Sequence, residues 1–170
     1  MKQIDWSKVS PKDLTDNPFR MIGDDWTLIT AGTPEHWNTM TASWGGLGVI
    51  WNKNVATVYV RPQRYTYEFI EQSDTFTLSF FPEGYRKALN FCGTKSGREF
   101  DKAKECGLTP AEADGGVTFE EARLVLVCRK LYWDDIAPEH FCCDEIDAKN
   151  YPGKDYHRLY IGEIIGAYTK

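Results

Sequence analysis

Residues Asn38 to Trp44 read Asn-Thr-Met-Thr-Ala-Ser-Trp, so Thr39, Thr41 and Ser43 alternate with Met40, Ala42 and Trp44. A period of two fits a strand with one face in a core and the other free for solvent or a ligand. Gly45-Gly46 follows and is expected to break the run, leaving the backbone open to close approach. Runs of the same kind recur along the chain. Asp25–Thr30 is expected to pair with Asn38–Trp44 across a turn at Ala31–Glu35. Val49–Trp51 and Val55–Val60 follow, split by Asn52-Lys53-Asn54, and Thr75–Phe81, Arg123–Trp133 and His157–Tyr168 complete the set. Within Arg123–Trp133, Leu124, Leu126 and Cys128 should face one way and Val125, Val127 and Arg129 the other. Many short strands at regular spacing predict a closed or nearly closed antiparallel barrel.

Helices are few and short. Thr66 is expected to cap one that runs to Gln72, and Pro82 to open one that ends near Phe91 ahead of Gly93. Ser96 and Glu99 form a Ser-x-x-Glu capping pattern, which predicts a helix from about Gly97 to Cys106. Residues 109–116 read as loop and 134–154 as connector. Residues 1–22 read as an irregular lead, with one turn capped by Ser10, ahead of a single domain over 23–170.

Composition narrows the function classes. The chain is 42% apolar and 14% aromatic, enough for one real core at 170 residues. A net charge of −5 argues against nucleic acid and against an anionic membrane surface as partners. No run approaches a bilayer span. No apolar leader is visible, and the five cysteines are odd in number, so reduced thiols in a cytoplasm are expected. No Cys-x-x-Cys and no Cys/His metal spacing occurs, so no metal site is expected.

Several residues could carry chemistry. Arg61 and Arg64 flank Pro62, which stiffens the loop, and two planar guanidiniums suit a phosphate dianion; solvated surface arginines beside a turn are the plainer reading. Ser96-Gly97 at a helix start offers amides to an anion, and Lys102 lies one turn on. The order Gly-Thr-Lys-Ser lacks the earlier glycine of a Walker A loop, and no Gly-x-Gly-x-x-Gly is present. Asn38, Thr39, Thr41 and Ser43 could line the polar edge of a flat heterocycle, with Met40 or Trp44 against its face; an amphipathic strand in water explains the same pattern. His157 is either a hydrogen-bonded structural residue or a proton donor. Cys92 closes a helix beside the candidate phosphate loop.

These pieces, Asn38–Trp44, Val60–Thr66, Gly93–Arg98 and Tyr156–Gly162, resemble in order and spacing the flavin reductase-like family of FMN-binding split barrels, which includes the flavoredoxins. The resemblance runs from about Asn17 to the C-terminus. It implies a mainly β, antiparallel Greek-key split barrel with peripheral helices. It implies FMN held by Asn38, Thr39, Met40, Thr41, Ala42, Ser43, Trp44, Arg61, Arg64, Thr66, Cys92, Ser96, Gly97 and Lys102. His157 would lie near the flavin, where a nicotinamide or substrate approaches. The implied activity passes reducing equivalents from NADH or NADPH through FMN to flavin or another acceptor. A flavoredoxin-like carrier serving redox protein partners is the alternative, and a base-stacking small barrel is a third, disfavoured by the acidic balance. A homodimer is the family's usual state.

Overall fold

The computed structural model describes residues 1–170. In chain order the elements are β1 Lys2–Gln3, β2 Ser7–Val9, α1 Pro18–Gly23, β3 Thr27–Thr33, β4 His36–Ala42, β5 Gly45–Ile50 and β6 Lys53–Val60. They continue with α2 Tyr65–Gln72, β7 Thr75–Phe80, α3 Arg86–Thr94, α4 Lys102–Cys106, β8 Pro110–Ala113 and β9 Gly116–Phe119. β10 Leu124–Asp135, α5 Asp144–Asn150 and β11 Arg158–Thr169 complete the chain.

The fold is mainly β and antiparallel, as its strand-rich pattern predicts. One sheet runs β4-β3-β7-β10-β11-β6-β5, with β2 pairing the far end of β11. It wraps around one apolar cluster that draws Met40 and Ala42 from β4, Val58 and Val60 from β6, Leu78 from β7, Leu126 from β10 and Tyr160 from β11. The barrel is not closed: β4 and β5 are its two edges. They are also consecutive in the chain, joined only through Ser43 and Trp44. The seam of the split barrel therefore falls on the stretch singled out by its alternation.

β10 explains the second layer. Leu124, Leu126 and Cys128 enter the barrel core, and Val125 and Val127 enter a second cluster with Leu28, Leu89, Cys92 and Phe119. A strand buried on both faces must be apolar at every position, and Leu124–Cys128 is. α3 thus covers β4, with α4 packed against it, and the β8–β9 hairpin covers the outside of β3 and β7.

Five local expectations are corrected. Gly45–Gly48 does not interrupt the sheet; it starts β5, which pairs with β6 along its length and turns at Trp51 and Asn52, both at positive φ. Residues 109–116 are not loop but most of a hairpin, β8–β9, closed by Asp114-Gly115 at positive φ, with β1 added alongside in parallel. Ser96 opens a single turn rather than a helix: the helix starts later, where Asp101 Oδ1 accepts from Lys104 N at 3.2 Å. Thr66 does not cap α2. Arg64 occupies the cap position and Thr66 is buried inside the helix. The lead also carries β1, β2 and α1.

Candidate functional site: two joined cavities at the barrel seam

Arg64 stands where the turn after β6 enters α2. Its Nη1 donates to Gly93 O at 2.6 Å and its Nη2 to Cys92 O at 3.3 Å, both near the C-terminus of α3. Lys102, the first residue of α4, is buried and donates from Nζ to the same Cys92 O at 2.9 Å and to Thr39 O at 2.8 Å. Cationic donors at the carbonyl end of a helix are well placed. Neither group has a carboxylate partner. Burial holds the Arg64 guanidinium below its usual range. Burial, and then Arg64 itself, pushes the Lys102 ammonium down to about 8. Two neighbouring cations, matched only by carbonyl dipoles, border a cavity of about 100 Å3 that Thr66, Ser96 and Gly97 also line.

The wall of this cavity is fixed by Asn38. Its Nδ2 donates to Thr66 Oγ1 at 2.8 Å, tying β4 to α2. Gly97 lies directly over it, where a Cβ would fall 1.9 Å from Asn38 Oδ1. Only glycine lets the 96–100 turn lie this close. Thr39 bonds Thr30 Oγ1 at 2.8 Å between the strands, and Thr41 Oγ1 donates to Leu89 O, fixing β4 to α3.

Arg64 is shared with a second cavity, of about 210 Å3, bordered by Met40, Thr41, Ala42, Ser43, Trp44, Tyr59, Arg61 and His157. His157 is buried. Its Nδ1 lies 2.8 Å from Tyr151 Oη, and its ring centre 5.1 Å from that of Trp44. Burial, and then Arg61, pushes the imidazole down to about 4, so it is neutral at pH 7. Burial also raises the Tyr151 phenol, which keeps its proton. Both groups are neutral, so either can donate; where Tyr151 O–H donates to Nδ1, the imidazole N–H is at Nε2. Arg61 is committed to the protein: it pairs with Asp155, donates to Asn150 O at 2.9 Å and covers the Tyr151 ring at 5.1 Å.

The fold thus gathers Met40–Trp44, Arg61, Arg64 and His157 around one cavity, and Arg64, Thr66, Ser96, Gly97 and Lys102 around the other. Asn38 and Thr39 border a third hollow, which shares Gly97 and Lys102 with the smaller cavity. Cys92 lines none of these. Its thiol is buried, 3.9 Å from that of Cys106, and burial followed by Cys106 pushes it up to about 12. Only its carbonyl reaches the cations. Sequence reasoning missed Tyr59, Tyr151 and Asp155. The alternation of β6 marked Tyr59 as a strand residue, whereas nothing in the connector distinguished Tyr151.

Comparison with known proteins bears on this site. The family model described as a flavin reductase like domain matches residues 19–170. A flavoredoxin from Methanosarcina acetivorans superimposes with a TM-score of 0.66 at 24% identity, covering 86% of this chain and 68% of that one. An FMN-binding domain of a flavin reductases-like enzyme from Shewanella baltica gives 0.68 at 20% identity, covering 99% and 79%. The flavin reductase PheA2 gives 0.60 at 17%, covering 86% and 79%. At these identities the likeness is one of fold. Comparison with curated protein sequences yields no match.

Proposed function

The chain belongs to the flavin reductase-like family, and from that premise we propose that it is an FMN-dependent oxidoreductase that takes reducing equivalents from NADH or NADPH and passes them to flavin or another acceptor. The observation that carries the proposal is the pair Arg64 and Lys102, two neighbouring cations without a carboxylate. A phosphate dianion would match their charge, and the turn at Ser96-Gly97 and the Thr66 hydroxyl border the same space. The cavity next to it is the right kind of place for the flavin ring. Its edge would meet the backbone of the free strand β4, its face Trp44. Bound FMN supplies the hydride chemistry.

The other residues have separate tasks. His157, neutral and aligned by Tyr151, borders the ring cavity and serves as a hydrogen-bonding group there, not as a proton donor at neutral pH. Arg61, already paired with Asp155, holds Tyr151 and the 150–155 segment in place. Asn38 and Gly97 shape the phosphate wall.

A second reading, a flavoredoxin-like carrier with protein partners and little nicotinamide turnover, is favoured by an exposed aromatic surface. Val49 and Trp51 of the β5–β6 turn are 71% and 53% exposed, and Trp51 lies edge-on to Tyr132 at 6.2 Å. Patches of this kind mark interaction surfaces. We propose a homodimer in either reading.

The visible spectrum of protein purified without added flavin, followed by anaerobic NADH and, separately, NADPH, tests these readings. Yellow protein that bleaches with a nicotinamide supports the reductase. Yellow protein that bleaches only with dithionite supports the carrier. Colourless protein that refuses added FMN sinks both.

A further inference from the structure

Another, larger space adjoins the ring cavity. It has a volume of about 640 Å3 and shares Ser43, Trp44 and Tyr59 with it. That volume lies in the roughly 300–1,000 Å3 range of small-molecule sites. Its walls come from α1, the β4–β5 seam, α5 and the segment before α5: Phe19, Ile22, Trp44, Leu47, Phe141 and Ile146. None of its 15 lining residues is charged. Its polar groups are few, with Ser43 and Asn150 among them. The segments that carry its outer wall are acidic. Asp134 precedes Ile136 and Asp144 and Glu145 precede Ile146 without a basic partner, whereas Asp135 is paired with Arg158 and Asp147 with Lys154. The nearby Arg61 is paired with Asp155.

We infer that this cavity binds a small neutral aromatic molecule beside the ring cavity. The inference rests on the reading that FMN occupies the ring cavity, and it names the class of the second ligand. Trp44 and Phe141 offer ring contacts, and Ser43 and Asn150 offer single hydrogen bonds that orient a hydroxyl or carbonyl. An anionic ligand would leave its charge unmatched in an apolar space with an acidic surround. The cavity is therefore assigned to a neutral ring compound and not to a dinucleotide, whose phosphates find no cation here.

The test is calorimetric titration of the FMN-loaded protein with naphthol and with naphthalene sulfonate, the same ring with and without an anion. Naphthol is expected to bind at least about tenfold more tightly. Ile146→Arg places a cation at the half-exposed wall, away from the flavin residues. It is expected to weaken naphthol and narrow or reverse the preference, with FMN affinity unchanged, while Ile146→Val keeps the native pattern. Equal binding of the two probes, no binding of naphthol, or naphthol binding indifferent to Ile146→Arg would each overturn the assignment. A wild type that ignores naphthol and becomes monomeric on Ile146→Arg would show that a second copy covers the cavity, which also overturns it. If FMN itself does not bind, the flavin reading fails separately, and the same titrations on the flavin-free chain still decide the cavity.

Discussion

Arg61 and Arg64 stand three residues apart on one loop and end in opposite electrostatic surroundings. Arg61 is paired with Asp155 and lies over the Tyr151 ring, so its charge is matched within the protein. Arg64 has only the carbonyls of Cys92 and Gly93, and its neighbour is a second cation, Lys102. The difference separates two tasks that look alike in sequence. A matched cation holds structure. An unmatched pair is a standing preference for an anion, because the burial of each charge is offset only when one arrives.

The largest effect expected from this contrast is at Arg64. Arg64→Met should weaken FMN by about 10- to 100-fold, the worth of one charged hydrogen bond of about 1.5–3 kcal/mol. Riboflavin, which lacks the phosphate, should bind the variant and the wild type alike. Fluorescence titration of both flavins checks this. A parallel loss of riboflavin would place Arg64 at the ring and not the phosphate, and would remove the contrast.

Next is the pH dependence set by Lys102. Its ammonium in the fold, at about 8, lies below the ordinary 10.5. Between these values the unfolded chain holds a proton that the fold does not, so the stability of the flavin-free protein should rise as pH climbs through that window. Phosphate needs the charged form, so FMN affinity should fall over the same window, by up to about tenfold per pH unit for one linked proton. The two trends are opposite in sign. Lys102→Met should abolish both, as melting curves and FMN titrations from pH 7 to pH 10 would show.

A smaller effect is expected at Tyr151. Tyr151→Phe removes the partner of His157 Nδ1. On the proposed reductase reading, turnover with NADH or NADPH should fall by several-fold, a loss near one hydrogen bond of about 0.5–1.5 kcal/mol, with FMN affinity unchanged. His157 also sets an acid limit. Its value in the fold, about 4, lies below the ordinary 6.5, so stability is complete above 6.5 and is lost as pH falls from there toward 4. His157→Gln should flatten that limb of the stability curve.

The strands around the seam were legible because alternation is local. Thr39, Met40, Thr41 and Ala42 announce their two faces in the sequence itself, and the two faces of Leu124–Cys128 fall into two clusters as the alternation predicts. Only the end of β5, at Val49 and Ile50, was legible, because the three glycines of Gly45–Gly48 carry no strand preference; pairing with β6 supplies what the side chains there do not. The β8–β9 hairpin had a signal, Asp114-Gly115 between apolar runs, that Pro110 and the short strands obscured. The Ser96–Glu99 pattern misled because a capping box describes any turn whose amides need acceptors, and here the chain leaves the turn after Phe100. At the site, the loop arginines and Lys102 were visible as charges. Which of them lacks a counter-ion depended on Asp155 lying 94 residues from Arg61, a contact that only the fold creates.

The smallest effect, and the one that sharpens the contrast most, is at Arg61. Its ion pair with Asp155 is partly exposed, and such pairs contribute about 0–1 kcal/mol. Arg61→Met should therefore lower stability by no more than about 1 kcal/mol. FMN affinity should change far less than in Arg64→Met, since Arg64 and Lys102, the proposed phosphate cations, are untouched. The imidazole should respond instead. Arg61 is the second cause, after burial, of the low value at His157, and Asp155 acts in the opposite sense. Removing the guanidinium and leaving the carboxylate should move the His157 titration upward, as NMR of the ring protons across pH 3 to pH 7 would report. A variant that loses FMN as severely as Arg64→Met, with His157 unmoved, would mean that Arg61 acts as a phosphate ligand and that its bridge to Asp155 opens when flavin binds.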